Sequence, residues 1–119
     1  MIGLQFKMKI GLLSDTHDYL PESVFEHFKD CDEIWHAGDI GSMKLVYKLE
    51  SFKPFKAVYG NIDDSSVRRA FPENLRFNCE GLDILITHIA GTPPRYNRRV
   101  KSMLQESAPQ ILICGHHIF

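Results

Sequence analysis

The sequence is poor in cysteine and contains no long apolar run. Its three cysteines, Cys31, Cys79 and Cys114, lie far apart and form no C-x-x-C pair. Isolated cysteines in odd number do not build a disulfide framework, so we expect a reducing, cytoplasmic location. The apolar runs are too short to span a bilayer, and we therefore expect no membrane partner.

Neither sign of charge is in excess. Lysine and arginine number 14 against 15 aspartates and glutamates, for a net charge of −1. A protein that binds nucleic acid usually carries a basic face, so we do not expect a nucleic-acid partner. A local basic cluster comprises Arg95, Arg98, Arg99 and Lys101. Such a run is commonly a solvated helix start, although these arginines could also reach a substrate phosphate.

Repeats, low-complexity tracts and linkers are also absent from the sequence. With 119 residues, 44% of them hydrophobic, the chain is sufficient for a single domain over 1–119 and leaves no room for a second. The N-terminal stretch MIGLQFKMK lacks the apolar core of a signal peptide, and Met8 can serve as an alternative start. We therefore expect residues 1–7 to be an N-terminal extension of the domain.

The first half of the chain alternates between strand and helix signals. Short apolar runs at 9–13, 33–37 and 56–59 predict three strands. Pro21 and Ser42 are typical first residues of helices, and an apolar helical face follows each of them. This order predicts βαβ units and a parallel sheet.

The second half of the chain shows a different pattern. The runs 75–79 and 82–87, joined by Glu80-Gly81, predict a hairpin. A Pro-rich loop at 91–94 and an amphipathic helix follow, and the run 111–114 predicts the last strand. The sequence as a whole therefore predicts an α/β fold.

Aspartate, asparagine and histidine follow five of the predicted strands, at the point where each strand ends. In chain order these segments are Ser14-Asp15-Thr16-His17, Gly38-Asp39, Gly60-Asn61-Ile62-Asp63, His88 and Gly115-His116-His117. Ligands of open α/β sheets bind outside the carboxyl ends of the strands. We therefore expect the five segments to converge on one edge.

These residue types are suited to one kind of chemistry. Aspartate and histidine together favour divalent metals such as Mn, Fe or Zn. We expect Cys114 to point into the core, so that the set contains no thiolate. Two metals need a shared anionic bridge, which Asp39 can supply. A water between two cations becomes a hydroxide nucleophile near neutral pH, and the amide of Asn61 can both bind a metal and donate to a substrate.

The ordered set D-x-H, G-D, G-N-x-D, a lone histidine and a closing G-H resembles the calcineurin-like metallophosphoesterases. The likeness runs from Lys9 to His117 and is greatest to the small single-domain phosphodiesterases of bacteria and archaea. The resemblance implies a four-layer α/β/β/α sandwich of two packed sheets flanked by helices. It also implies a hydrolase that cleaves phosphate esters, diesters more than alkyl monoesters, with a hydroxide that bridges two metals.

The resemblance implies seven metal ligands: Asp15, His17, Asp39, Asn61, His88, His116 and His117. Asp15 and His17 would hold the first metal, and Asp39 would bridge both. Asn61 and His88 would hold the second metal together with the first histidine of the closing pair. The implied cofactors are two divalent ions, Mn²⁺ first, with Fe, Zn, Ni or Mg as alternatives.

The catalytic residues that the resemblance implies are Asn61, His88 and Asp63. Asn61 would stabilise developing charge, whereas Asp63 would orient a ligand or its neighbours without binding metal itself. The implied partner is a phosphate-ester substrate, and a homo-oligomer is compatible with the sequence.

The sequence departs from the family at two places. Many members have histidine at the x of G-N-x-D, where it donates to the phosphate or the leaving group. This chain has Ile62, which cannot donate, so we expect slow turnover of alkyl monoesters. The closing motif of the family is G-H-x-H, whereas here His116 and His117 are adjacent.

Three explanations of the closing motif stay open. A residue between His116 and His117 is missing from the sequence, the chain is truncated, or it is a variant with a weakened first metal. We favour an incomplete sequence in which His117 takes the role of the second histidine. The family also continues beyond this motif, so we expect the last strands of the fold to be missing after Phe119.

Each segment alone also has a simpler explanation. A D-x-H after a strand is usually a capped turn, Gly60-Asn61 is usually a turn, and His36 fits the core as well as a metal site. A second hypothesis is a catalytically weak scaffold of the same fold that binds protein, as the retromer coat subunit does. Ile62 and the irregular end favour it, and the retained ligand set argues against it.

Overall fold

The structure is a computed structural model, and it describes residues 7–89, 91–92 and 95–115. The first half of the chain forms a parallel sheet, called sheet 1, in the order β1-β2-β3. Its strands are β1 (Ile10–Leu13), β2 (Glu33–His36) and β3 (Phe55–Ala57). Helices α1 (Glu22–His27) and α2 (Met43–Phe52) form the two connections, which confirms the predicted βαβ order.

The second half forms a mixed sheet, called sheet 2, in the order β4-β5-β8. Strands β4 (Asn74–Cys79) and β5 (Leu82–Thr87) are antiparallel, and β8 (Ile111–Cys114) is parallel to β5. Glu80 and Gly81 connect β4 to β5 with φ angles of 50° and 84°. Two positive φ angles are typical of a type I′ turn, so the predicted tight hairpin is confirmed.

Helix α2 shows why these residues form these elements. The side chain of Ser42 accepts a hydrogen bond from the backbone N–H of Leu45 at 3.3 Å, which caps the helix start as predicted. Leu45, Val46 and Leu49 lie on one face and are buried, because residues three and four apart share a side of a helix. The helix therefore covers sheet 1 with this face.

Two parts of the structure differ from the sequence prediction. Helix α3 (Ser65–Ala70) was not predicted, since its six residues carry one buried apolar side chain, Val67. Strands β6 (Gly91–Thr92) and β7 (Arg95–Tyr96) form a short antiparallel ladder where a loop was predicted at 91–94. Two-residue strands are too short to show an alternating pattern.

The two sheets pack against each other and form one of the two buried clusters. Trp35 of sheet 1 meets Phe77 of sheet 2 edge to face, with ring centroids 4.9 Å apart, and Ile84 of sheet 2 belongs to the same cluster. The opposite face of sheet 1 carries the second cluster, in which Ile34 packs with Leu49 of α2. These clusters define successive layers of helix, sheet and sheet.

Helix α4 (Arg98–Glu106) connects β5 to β8. On β5, Leu85 is buried on the face opposite to Ile84 and Ile86, and Val100 of α4 is buried as well. A helix in a crossover between parallel strands covers one face of the sheet. The structure thus confirms an α/β fold with two packed sheets, and α4 accounts for the fourth predicted layer.

An apolar cavity of about 280 Å³ lies at the junction of the two sheets. Its lining residues are Met8, Ile10, Leu12, Trp35, Cys79, Ile84, Ile111 and Ile113. In the part of the chain that the structure describes, no helix combines the length and apolar character that crossing a bilayer requires.

Candidate metal centre

The loops that follow β1 and β2 are held together by backbone hydrogen bonds. The N–H of Asp15 donates to the carbonyl of Gly38 at 3.0 Å, and the N–H of His17 donates to the carbonyl of Asp39 at 3.0 Å. These bonds continue the parallel pairing of β1 and β2 beyond the last strand residue. The D-x-H and G-D segments are therefore fixed in register with each other.

Four polar residues of these loops have a left-handed backbone. The φ angles are 55° for Asp15, 48° for His17, 65° for Asp18 and 59° for Asp39. Non-glycine residues rarely adopt positive φ, and those that do cluster at functional sites. The surrounding hydrogen bonds impose this conformation on two of the predicted metal segments.

Three predicted ligands, Asp15, Asp39 and His88, place one potential metal-binding atom each within 4.8 Å of one another. The Nε2 atom of His88 is 3.1 Å from Oδ2 of Asp39 and 3.7 Å from Oδ1 of Asp15. The Nε2 atom of His17 is 3.5 Å from the same oxygen of Asp39. The structure thus brings together four of the seven ligands that the sequence predicts.

The four side chains form an inner and an outer pair. The side chains of Asp39 and His88 are 2% and 4% exposed, whereas those of Asp15 and His17 are 34% and 54% exposed. A buried carboxylate must be compensated by hydrogen bonds, a cation or a metal. The site is therefore anchored in the interior and opens to solvent on the side of β1.

The orientation of His88 follows from its contact with sheet 1. Its Nδ1 lies 2.8 Å from the carbonyl oxygen of Ala37, and a carbonyl can only accept, so Nδ1–H is the donor. The nitrogen that faces Asp15 and Asp39 is therefore Nε2. Metal-binding histidines commonly donate their other N–H to a carbonyl or carboxylate, which fixes the ring.

Asp39 is held by the loop that follows β3. Its Oδ1 accepts a hydrogen bond from the backbone N–H of Ile62 at 3.0 Å, which leaves Oδ2 directed at the histidines. A Cβ placed on Gly60 would lie 2.1 Å from that Oδ1. The glycine of G-N-x-D is thus required by the close approach of Asp39.

Asp63 connects the loops that follow β2 and β3. Its buried carboxylate accepts from the backbone N–H groups of Ile40 at 3.2 Å, Gly41 at 2.9 Å and Gly60 at 2.8 Å. These contacts are with backbone rather than with the candidate ligands. Asp63 therefore holds the two loops in position through their backbone, and its predicted role towards the metal ligands stays a prediction.

His36 is buried and fully hydrogen-bonded beneath the site. Its Nδ1 accepts from the N–H of Gly38 at 3.1 Å, and its Nε2 lies 3.0 Å from Oγ1 of Thr16. Burial lowers the pKa of His36 to about 4, with a smaller contribution from His88, against the opposing effect of nearby carboxylates. The ring is therefore neutral near pH 7 and links the D-x-H loop to the G-D loop.

The other three predicted ligands are Asn61, His116 and His117. Asn61 is exposed in the loop after β3. His116 and His117 lie outside the described residues, whereas Gly115 donates its N–H to the carbonyl of His88 at 3.1 Å. Burial raises the pKa of the Cys114 thiol, which agrees with its exclusion as a thiolate ligand.

A polar cavity of about 210 Å³ adjoins the centre on the side of His88 and Asn61. The remaining lining residues are Tyr59, Gly60, Arg68, Glu73, Thr87, Ile89 and Arg99. Arg99 was among the arginines considered for phosphate contact, whereas Arg98 is exposed and the side chain of Arg95 lies outside the described residues. The sequence-based interpretation missed Arg68, because no motif marks an arginine at this distance from G-N-x-D.

The donor set tests whether a metal fits. Two carboxylate oxygens and two imidazole nitrogens converge, and oxygen with nitrogen is the set that Mn, Fe and Zn accept. Asp39 contributes Oδ2 at the centre of the group, while its other oxygen is bound to backbone. The residues present therefore fit a divalent cation.

Aspartate and histidine gathered at the strand ends of an α/β fold form a candidate metal-binding site. The chain belongs to the calcineurin-like phosphoesterase superfamily, since the sequence profile of that domain matches residues 8–117. It is 32% identical over 114 residues to a probable metallophosphoesterase of Methanothermobacter thermautotrophicus, a match that covers 92% of this chain and 66% of the relative.

Two solved structures share the fold. A novel archaeal phosphodiesterase is 25% identical, with a TM-score of 0.72 over 92% of this chain and 73% of that one. Vps29 of Chaetomium thermophilum is 13% identical, with a TM-score of 0.72 over 88% of this chain and 59% of that one. The chain thus spans only part of the length of each of these proteins.

Proposed function

We propose that the protein is a divalent-metal-dependent phosphodiesterase with two ions at the ends of its strands. The observation that carries this proposal is the convergence of Asp15, His17, Asp39 and His88 around Oδ2 of Asp39. Membership of the phosphoesterase superfamily and the likeness to an archaeal phosphodiesterase support the reaction class.

Each side chain would have a role that follows from its position in the site. Asp39 is buried between the two histidines and would contact both ions. His88 presents Nε2 in a fixed orientation, because its Nδ1–H is bound to Ala37. Asn61, with His116 and His117, would complete the ligand set, and the Asn61 amide would donate to a phosphoryl oxygen. When bound, two ions lower the pKa of a shared water and neutralise phosphoryl charge.

The preference for diesters rests on Ile62. Its side chain is 46% exposed and has no hydrogen-bonding group, while its backbone N–H is engaged with Asp39. An alkyl leaving group needs a proton, and this position cannot supply one. Alkyl monoesters should therefore be turned over slowly, and diesters with good leaving groups should be preferred to them.

We propose manganese as the preferred ion. Iron, zinc, nickel and magnesium are alternatives that the same donors accept. A cytoplasmic location and the absence of a nucleic-acid partner stay predictions from composition. Homo-oligomerisation also stays a prediction.

The test is hydrolysis of bis(p-nitrophenyl) phosphate and p-nitrophenyl phosphate by metal-stripped protein, with and without added Mn²⁺. We expect turnover of the diester only with metal, and slower turnover of the monoester. Equal rates with and without metal would contradict the proposal. If folded protein with added metal turns over neither ester, the scaffold hypothesis is favoured instead.

A further inference from the structure

The polar cavity beside the centre is lined in part by polar side chains that the proposed reaction does not use. The inference about its ligand rests on the function proposed above, because that ligand would be part of the phosphodiester substrate. Asn61 and His88 form its border with the centre, so a phosphate bound there would extend one ester arm towards Arg68 and Glu73. Neither of these two residues belongs to the predicted ligand or catalytic set.

Arg68 supplies a fixed donor at one part of the wall. Its Nε donates to the carbonyl of Asp63 at 2.8 Å, and its Nη2 donates to the carbonyl of Asn61 at 3.2 Å. The guanidinium also lies over the ring of Tyr59, 4.7 Å from the centroid. Its Nη1 forms no hydrogen bond with any residue that the structure describes, so both N–H groups of this nitrogen are available to a ligand.

Glu73 supplies an acceptor at another part of the wall. Its Oε1 lies 3.3 Å from Nε of Arg99, and its side chain is 51% exposed. Arg99 is otherwise committed to Asn74, to Oγ1 of Thr87 and to the carbonyl of Ile89. Within the described ranges Oε2 of Glu73 accepts no hydrogen bond, so it can accept from a ligand.

The cavity has room for one ring of the ester arm. A volume of about 210 Å³ equals roughly seven waters at about 30 Å³ each, which is the scale of one substituted ring. An alkyl arm could not hydrogen-bond to Nη1 of Arg68 or to Oε2 of Glu73, so it would gain no affinity from either atom.

We propose that this cavity binds a hydroxylated ester arm of the substrate, such as a sugar ring. A hydroxyl both accepts and donates, so it can bond to Nη1 of Arg68 and to the carboxylate of Glu73. The substrate class is therefore a phosphodiester with a polyhydroxylated arm.

The test compares ribose 5-phosphate with methyl phosphate, by calorimetric titration of the Mn²⁺-loaded protein. Both ligands carry the same phosphoryl group, and only the first has the arm. Each added hydrogen bond is worth about fivefold in affinity, so we expect ribose 5-phosphate to bind at least about tenfold tighter. Glu73→Gln should reduce this preference severalfold, and the matched control Glu50→Gln, an exposed residue on α2, should leave it unchanged.

Equal affinities of the two ligands for the unaltered protein would overturn the proposal while leaving the metal centre intact. A preference that Glu73→Gln does not reduce would overturn the assigned binding residue and with it the proposed site. Binding of neither ligand would show that the metal centre itself fails to hold a phosphate. The failure of the proposed function and the failure of this inference are thereby distinguished.

Discussion

Asp63 and Asp64 are adjacent in the chain but hold different parts of the structure. Asp63 is buried and accepts from three backbone N–H groups, whereas Asp64 is exposed and caps α3 through Ser66 and Val67. We expect Asp63→Asn to destabilise the protein by about 1–3 kcal/mol, since an amide nitrogen would face backbone donors. Asp64→Asn should have little effect, because asparagine caps as well as aspartate. Urea denaturation measures both, and equal effects would contradict the assignment.

Gly60 has a steric role in the centre. A Cβ at this position would lie 2.1 Å from Oδ1 of Asp39, so Gly60→Ala must displace that carboxylate. We expect Mn²⁺ affinity to fall roughly 10-fold or more, as for other changes behind a metal ligand. Gly81→Ala is the control: Gly81 has a φ of 84° and open space around it, so it should lower stability by about 1 kcal/mol without affecting metal. An unchanged Mn²⁺ affinity in Gly60→Ala would refute this role.

His36 makes stability depend on pH. Its pKa is about 4 in the folded protein, because burial disfavours the charged ring, against an ordinary value of 6.5. Above pH 6.5 neither state takes up a proton at this ring. As pH falls from 6.5 to about 4, the unfolded chain is protonated first, and about 3 kcal/mol of stability is lost.

We therefore expect His36→Gln to flatten the decline in the free energy of unfolding between pH 6.5 and 4. The exposed His27→Gln serves as the control and should keep the full decline. Urea denaturation at several pH values measures the slopes. The same slope in all three proteins would show that His36 does not titrate in this way.

Among the secondary-structure elements, α2 contributes most clearly to the core. Leu49 is fully buried against sheet 1, whereas its neighbour Glu50 is exposed. Leu49→Ala removes buried methyl groups and leaves a cavity, so we expect a loss of about 2–5 kcal/mol. Glu50→Ala should change stability by less than about 0.5 kcal/mol. Thermal or urea unfolding compares the two, and a loss below 1 kcal/mol for Leu49→Ala would place α2 outside the core.

The elements that could be predicted from sequence are those with a local signal. Strand β5, the Glu80-Gly81 turn and the cap of α2 at Ser42 each follow from periodicity or turn chemistry within a few residues. Helix α3 could not be predicted, because it depends on Asp64 and on the burial of Val67 in the folded protein. The ladder of β6 and β7 also has no signal of its own.

The candidate site also has features that the sequence predicts and features that it does not. Asp15, His17, Asp39 and His88 were predicted, because the carboxyl ends of strands meet at one edge. The left-handed backbone of Asp15, His17 and Asp39 could not be predicted from the sequence, and neither could the tautomer of His88. Both depend on contacts between loops. The place of Arg68 in the cavity wall was not predicted for a similar reason. Arg68 contacts backbone carbonyls, and every residue has one, so no sequence motif marks the contact.

On the scale of the whole molecule, the site joins the two sheets. Asp15 and Asp39 follow strands of sheet 1, whereas His88 follows β5 of sheet 2. A cation held by all three can bind only when the sheets are packed. Metal at 100 times its Kd should therefore raise the free energy of unfolding by about 2.7 kcal/mol per site.

We propose that these side chains hold divalent ions around Asp39. The most direct test is equilibrium titration of metal-stripped protein with Mn²⁺, for the unaltered protein and for Asp39→Asn. We predict two ions per chain in the unaltered protein, and the loss of at least one in the variant, because asparagine is neutral and a poor bridge. No specific Mn²⁺ binding by the unaltered protein, or the same binding by both proteins, would contradict the claim.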